Sequence, residues 1–172
     1  PKKEYLLRKD ENIKFANKHN IKIIDAEYDT KNWFNLTRGM EWEPERGIRC
    51  ETCFDMRFYK TAEYASKNGY DIISSTLGIS RWKNFEQINL SGRNATKSFS
   101  NIDYWDFNWR KNNGSQRMLE VSKKEEFYMQ EYCGCVYSLR DTNIWREKNH
   151  RPSIEIGLKY FSFSDKKSAK NK

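Results

Sequence analysis

Apolar positions recur along this chain with two periods, near 3.6 and near 2, and the alternation between them lays out the elements. Leu6, Ile13 and Ala16 fall at helical spacing, so residues 2–18 are expected to form an amphipathic helix. Ile21–Tyr28 (IKIIDAEY) is short, β-branched and bounded by Asn20 and Asp29, which predicts a strand. A short helix over about 30–38 ends at Gly39, and a polar loop, Glu41–Gly47, follows. From about Glu51 the stripe Phe54, Phe58, Ala62, Ala65 marks a longer helix, stopped by Gly69 at its C′ position. Asp71–Leu77 (DIISSTL) reads as a second buried strand. Phe85, Ile88, Gly92, Ala95 and Phe99 mark another helix, and Ile102–Trp109 is aromatic and extended. Asn112, Asn113 and Gly114 make a turn, and Met118, Val121 and Tyr128 stripe the helix expected after it.

Helices intervening between short strands predict an α/β fold built on a parallel sheet with flanking helices. In open sheets of that kind, sites lie at the carboxyl ends of the strands. No internal repeat and no second composition regime interrupts the chain. We therefore expect a single metal-binding α/β domain over residues 1–160 and a basic flexible tail over 161–172.

Composition narrows the function classes. The chain has 172 residues, enough for a real core, with 37% apolar and 15% aromatic residues. Its formal charge of +8 makes polyanions, nucleic acid first, natural partners, although solubility alone accounts for such a charge almost as well. No apolar run approaches the length of a membrane span and no secretory leader is visible, so a cytoplasmic location with reduced thiols is expected, and no membrane partner.

The cysteines change the picture most. All four lie in two close pairs, Cys50-x-x-Cys53 and Cys133-x-Cys135. Cys50 falls near the start of a predicted helix, where unpaired N–H groups and the helix dipole favour thiolate, and Arg49 and Arg57 add positive charge nearby. Gly134 gives the C-x-C the backbone freedom to turn both sulfurs inward. Three uses compete. A structural zinc takes four thiolates, an iron–sulfur cluster takes three or four, and a dithiol redox centre needs Cys50 and Cys53 alone. Inert buried thiols are the bland reading. Spacing by itself ranks zinc ahead of iron–sulfur. His19 and His150, the only histidines, neighbour neither pair and read as ordinary surface residues.

The flanks of these pairs carry a resemblance. Gly47-Ile-Arg-Cys-Glu-Thr-Cys-Phe-Asp-Met-Arg-Phe58 with Thr61-Ala-Glu-Tyr-Ala65 resembles the QueH-type epoxyqueuosine reductases. So do Ser75-Thr-Leu-Gly-Ile-Ser80 with Lys83, Asn113-Gly114 with Arg117, and Tyr128 through Tyr132-Cys-Gly-Cys-Val-Tyr-Ser138. The resemblance covers about Pro1 to about Asn143; Gly47-Ile48 replaces the residues that usually precede Arg49. It implies a Rossmann-like α/β domain related to the PP-loop (HUP-like) proteins. It also implies a cytoplasmic tRNA-modifying oxidoreductase that reduces epoxyqueuosine in the anticodon loop to queuosine. The cofactors implied are a [4Fe–4S] cluster and an additional iron, with Cys50, Cys53, Cys133 and Cys135 as metal ligands. An unidentified electron donor completes the partners. Ser80, Lys83 and Arg117 match motif positions and are the candidate substrate-binding residues; no catalytic residue is assigned.

Members of that family open with a strand, a C-C-x-P motif, a helix and a second strand, and Pro1–Tyr5 here matches the stretch that follows them. N-terminal truncation is the expectation, with the further one that four cysteines alone do not complete the metal centre. Trp82, Trp105, Trp109, Tyr132 and Tyr137 are candidates for stacking unpaired bases, and Arg110, Lys111, Lys123 and Lys124 for phosphate contacts, each weighed against ordinary packing or a solvated face. The rival readings are a noncatalytic zinc-stabilised RNA-binding module and a thiol–disulfide enzyme using Cys50 and Cys53.

Overall fold

A computed structural model describes residues 1–161 of the chain. The elements are α1 (Lys2–Lys18), α2 (Thr30–Leu36), α3 (Ile48–Lys67), β1 (Ile72–Ile73), α4 (Phe85–Thr96), β2 (Asp103–Tyr104), α5 (Gly114–Lys124) and α6 (Val136–Lys148), with a 3₁₀ turn at Leu77–Ile79. They group into two compact units, one formed by Tyr28–Gln116, the other by Pro1–Glu27 together with residues 117–161. From residue 162 on, the expected basic tail lies outside the described residues.

In the unit Tyr28–Gln116 the sequence pattern and the structure agree closely. The stripe on α3 is buried: Phe54, Phe58, Ala62 and Ala65 pack with Ile73, Ile88, Ala95 and Ile102 into one apolar core. Gly69 takes φ +74° after the helix, and the Tyr70 N–H closes back on the Ala65 carbonyl at 3.1 Å, the bond that satisfies an orphan carbonyl at a helix C-terminus. Asn84 caps α4, its Oδ1 accepting the N–H of Glu86 at 3.0 Å and of Gln87 at 3.2 Å. α4 packs along α3, and it links two parallel strands, β1 and β2, paired Ile72 to Asp103 and Ile73 to Tyr104. The expected parallel arrangement is present, in a sheet of two short strands.

Several expectations are corrected. Residues 21–28 form no strand; Ile21, Ile23 and Ile24 are exposed, because no other described strand pairs with them. The second expected strand is cut to Ile72–Ile73. Past it, the Ser75 hydroxyl accepts the Leu77 N–H at 3.1 Å and the Trp109 indole donates to the Ser75 carbonyl at 2.9 Å, which turns the chain into the 3₁₀ segment. α3 begins at Ile48 instead of Glu51, with Gly47 as its cap residue. α5 ends at Lys124, so Tyr128 lies beyond it. Glu126 at φ 51° breaks the helix, and Tyr128 instead forms an antiparallel bridge with Tyr160.

In the other unit, α1 buries Ala16 as expected, but it also buries a carboxylate, Glu4, to 1% exposure. A buried carboxylate is costly without partners. Here the Arg8 guanidinium and the Tyr128 hydroxyl (2.8 Å) both donate to it.

Candidate functional site

The first thiol pair lies on the opening turns of α3. Cys50 is in the first turn, where the free N–H groups of the helix favour negative charge, and its Sγ accepts the Arg46 backbone N–H at 3.4 Å. Gly47 fits its place because a Cβ there would lie 2.8 Å from a Glu43 carboxylate oxygen and 3.1 Å from the Pro44 carbonyl. Arg49 reaches back to the loop that precedes the helix. It is 1% exposed, and its Nη1 donates to the carbonyls of Met40 (3.1 Å) and Glu41 (3.2 Å), pinning the preceding loop.

A second loop is tied against this turn from two sides. Arg46 Nε donates to the Trp82 carbonyl at 3.0 Å and its Nη2 to the Arg81 carbonyl at 3.4 Å. From the other side, Arg110 Nε donates to the Gly78 carbonyl at 2.7 Å. Its Nη2 reaches the carbonyls of Ser80 at 2.7 Å and Lys83 at 3.1 Å. Gln87 Nε2 adds a bond to the Arg46 carbonyl at 3.1 Å. The result is a narrow crevice whose wall includes Cys50, Phe54, Trp82 and Lys83. Lys83 is 11% exposed, its ammonium 3.9 Å from the Glu45 carboxylate. The Ser80 hydroxyl accepts the Trp82 N–H at 3.3 Å. Thus Lys83 and Cys50 share the crevice wall, Ser80 lies in the same tied loop as Lys83, and Arg110 holds that loop. Trp82 is exposed, with the Arg81 guanidinium 4.8 Å from its ring centroid.

The second thiol pair belongs to the other unit. Cys135 is the N-cap of α6, and its Sγ accepts the Ser138 N–H at 3.3 Å. Buried Ser138 donates from Oγ to the Cys135 carbonyl at 3.0 Å. Gly134 takes φ +119°. Arg8 Nη1 donates to the Cys133 carbonyl at 2.9 Å and Nη2 to the Tyr132 carbonyl at 3.2 Å. Tyr132 is buried, so it is not open for base stacking. Its hydroxyl lies close to Glu4 without a well-formed hydrogen bond; burial first, then the Glu4 charge, push its pKa up. Burial, followed by the Glu4 hydrogen bond, raises the Tyr128 pKa to about 12.

Arg117 also lies in this unit, exposed, 3.5 Å from Glu120. It borders a groove of about 310 Å³ shared with Phe15, His19 and Lys124. Glu4 and Arg8 are the residues that reading the sequence missed. At i and i+4 on a helix they look like an ordinary solvated ion pair.

All four cysteines are free of disulfides and partly buried. Among the described residues no group of three or more His, Cys, Asp or Glu side chains is gathered as a metal site. Among the same residues no helix is long and apolar enough to cross a membrane.

These features define an α/β protein with two cysteine pairs, in each of which one sulfur, Cys50 or Cys135, accepts a backbone N–H at a helix start. The chain belongs to the epoxyqueuosine reductase QueH family, whose model matches residues 1–141 and so includes both pairs. It is 63% identical over 165 residues to an epoxyqueuosine reductase QueH of Acinetobacter baylyi, covering 96% of this chain and 76% of the relative. To the protein of that name from Haemophilus influenzae it is 62% identical over 162 residues, 94% of this chain and 66% of the relative. To that from Thermotoga maritima it is 31% identical over 160 residues, 91% of this chain and 81% of the relative. The chain thus spans about two thirds to four fifths of these relatives' length.

Proposed function

We propose that this protein acts as an epoxyqueuosine reductase on tRNA, removing the epoxide oxygen from the modified base in the anticodon loop. The reaction consumes two electrons and two protons, releases the oxygen as water and leaves a carbon–carbon double bond. The observation that carries this reading is the match to the QueH family over residues 1–141, which contains both thiol pairs.

The donor chemistry fits iron or an iron–sulfur cluster. None of the four cysteines is in a disulfide, and Cys50 and Cys135 sit at helix starts, positions that favour a negatively charged ligand. Cys50, Cys53, Cys133 and Cys135 would contribute ligands to the [4Fe–4S] cluster and the additional iron, a centre that needs more donors than these four. When bound, the cluster supplies electrons one at a time and the second iron a Lewis acid for the epoxide oxygen.

The chain's own residues handle the substrate. Lys83 offers a positive donor in the crevice wall beside Cys50, and Ser80 lies in the same tied loop. Arg117, exposed on the other unit, suits a phosphate contact that positions the RNA without specifying its sequence. The electron donor is a separate partner, and the reaction places the protein in the cytoplasm with its tRNA.

The test is metal and product analysis after anaerobic purification. Iron with acid-labile sulfide, and conversion of epoxyqueuosine-bearing tRNA in the presence of a chemical reductant, are expected. Cys50→Ala should lose iron and conversion together. Zinc without sulfide and without conversion would overturn the reading in favour of a zinc-stabilised RNA-binding module.

A further inference from the structure

We infer that Glu4 and Arg8 of α1 form a clamp that sets the shape of the Cys133–Gly134–Cys135 turn, making Arg8 a positioning residue for the two sulfurs. The inference rests on the reading of Cys133 and Cys135 as metal ligands given above.

Three observations carry it. First, the Arg8 fork spans two successive carbonyls, those of Tyr132 and Cys133, at 3.2 and 2.9 Å. A planar guanidinium bonded at two points fixes the orientation of the peptides it holds, which a single-point donor cannot do. Second, the guanidinium is itself held. Its Nε donates to Glu4 Oε1 at 2.8 Å, and Glu4 is fully buried with the Tyr128 hydroxyl on its other oxygen at 2.8 Å. A buried carboxylate with this much of its capacity satisfied has no low-energy alternative place, so it does not let the arginine wander. Third, the turn is moulded to the arginine. A Cβ at Gly134 would lie 2.8 Å from Arg8 Nη1 and 3.0 Å from its Cζ. Glycine is therefore required here twice over, for φ +119° and for the close approach of the guanidinium.

The chain of contact runs from a buried acid, through an arginine, to the backbone of the turn, and on to Cys135, whose Sγ is turned to the Ser138 N–H at the start of α6. Supports of this kind around metal ligands cost about 10–100-fold in metal affinity when removed. A simple structural pin would instead change stability and leave the sulfurs as they were.

Arg8→Lys separates the two. Lysine keeps a charge for Glu4 but has no fork for two carbonyls. Two readouts are taken on the anaerobic, metal-free protein beside its thermal unfolding. One is the rate of iodoacetamide alkylation at each cysteine, read by peptide mass spectrometry. The other is Co²⁺ affinity, read by thiolate-to-metal absorption. Faster alkylation of Cys133 and Cys135 by several-fold is expected, with Cys50 and Cys53 unchanged as internal controls. Co²⁺ binding should weaken by about 10–100-fold. Unchanged alkylation and unchanged Co²⁺ affinity, whatever the melting temperature does, would overturn the clamp. If Arg8→Lys fails to fold, Glu4→Gln carries the same comparison, because it removes the charge that holds the guanidinium. A wild-type protein that shows no Co²⁺–thiolate absorption contradicts the ligand reading itself, and the alkylation rates then still decide whether the clamp exists.

Discussion

Gly92 lies directly beneath the ring of Tyr104: a Cβ on Gly92 would fall 2.3 Å from Cε2 and 2.5 Å from Cζ. This close approach lets α4 lie flat on β2, and the Tyr104 ring also meets Phe58 edge-on at 5.5 Å. Its hydroxyl donates to buried Asn89 at 2.8 Å. Gly92→Ala is expected to destabilise the fold by about 1–3 kcal/mol through overpacking, measured as a lower urea midpoint. Adding Tyr104→Ala should cost less in the Gly92→Ala background than in the wild type, since it removes the clash. Strict additivity would show that the two residues do not contend for the same space.

Arg110 ties the loop that carries Ser80 and Lys83. Arg110→Lys keeps the charge but loses the fork that reaches three carbonyls. Amide exchange across residues 77–84 should quicken by about tenfold, equivalent to about 1.4 kcal/mol of local opening, while exchange in α3 stays as it was. Equal rates in both proteins would mean the loop stands without Arg110.

Arg49 is a structural arginine beside Cys50, a proposed metal ligand. Arg49→Leu leaves the carbonyls of Met40 and Glu41 without their donor in a buried site. A loss of roughly 2–3 kcal/mol in unfolding free energy is expected. A change in RNA affinity with stability intact would instead show that its charge acts on the ligand.

Tyr128 predicts an alkaline limit. Its pKa is raised from 10.0 to about 12, first by burial and then by its bond to Glu4. The folded state therefore holds this proton more tightly than the unfolded chain. The contribution is complete below pH 10 and is lost as pH rises from 10 toward about 12. Urea midpoints across that range should fall less steeply in Tyr128→Phe than in the wild type. Parallel curves would show that Tyr128 is not linked to folding.

Much of one unit was legible in the linear pattern. The Phe54–Ala65 stripe, the Gly69 stop and the parallel strands either side of α4 follow from local rules, because a helical face and a helix terminator act over a few residues. The segment 21–28 was misread for the opposite reason. Period and β-branching say that a stretch can extend, but a strand exists only where another backbone accepts its hydrogen bonds, and Ile21, Ile23 and Ile24 are exposed without one among the described residues. Tyr128 was assigned to a helix by spacing alone, yet a left-handed Glu126 ends α5 before it.

The site divides along the same line. By itself the sequence determined the donor set of the proposed centre: four thiols in two pairs, one at a predicted helix start and one turned by a glycine. It also carried the family resemblance, because motifs are local. The tertiary structure alone decided the roles of the arginines. Arg46, Arg49 and Arg110 spend their donors on backbone carbonyls, and Arg8, paired with a buried Glu4, meets a turn 125 residues away. Linear order does not record whether a charge will find water or a carbonyl. That depends on desolvation and on partners that only folding brings within hydrogen-bond reach.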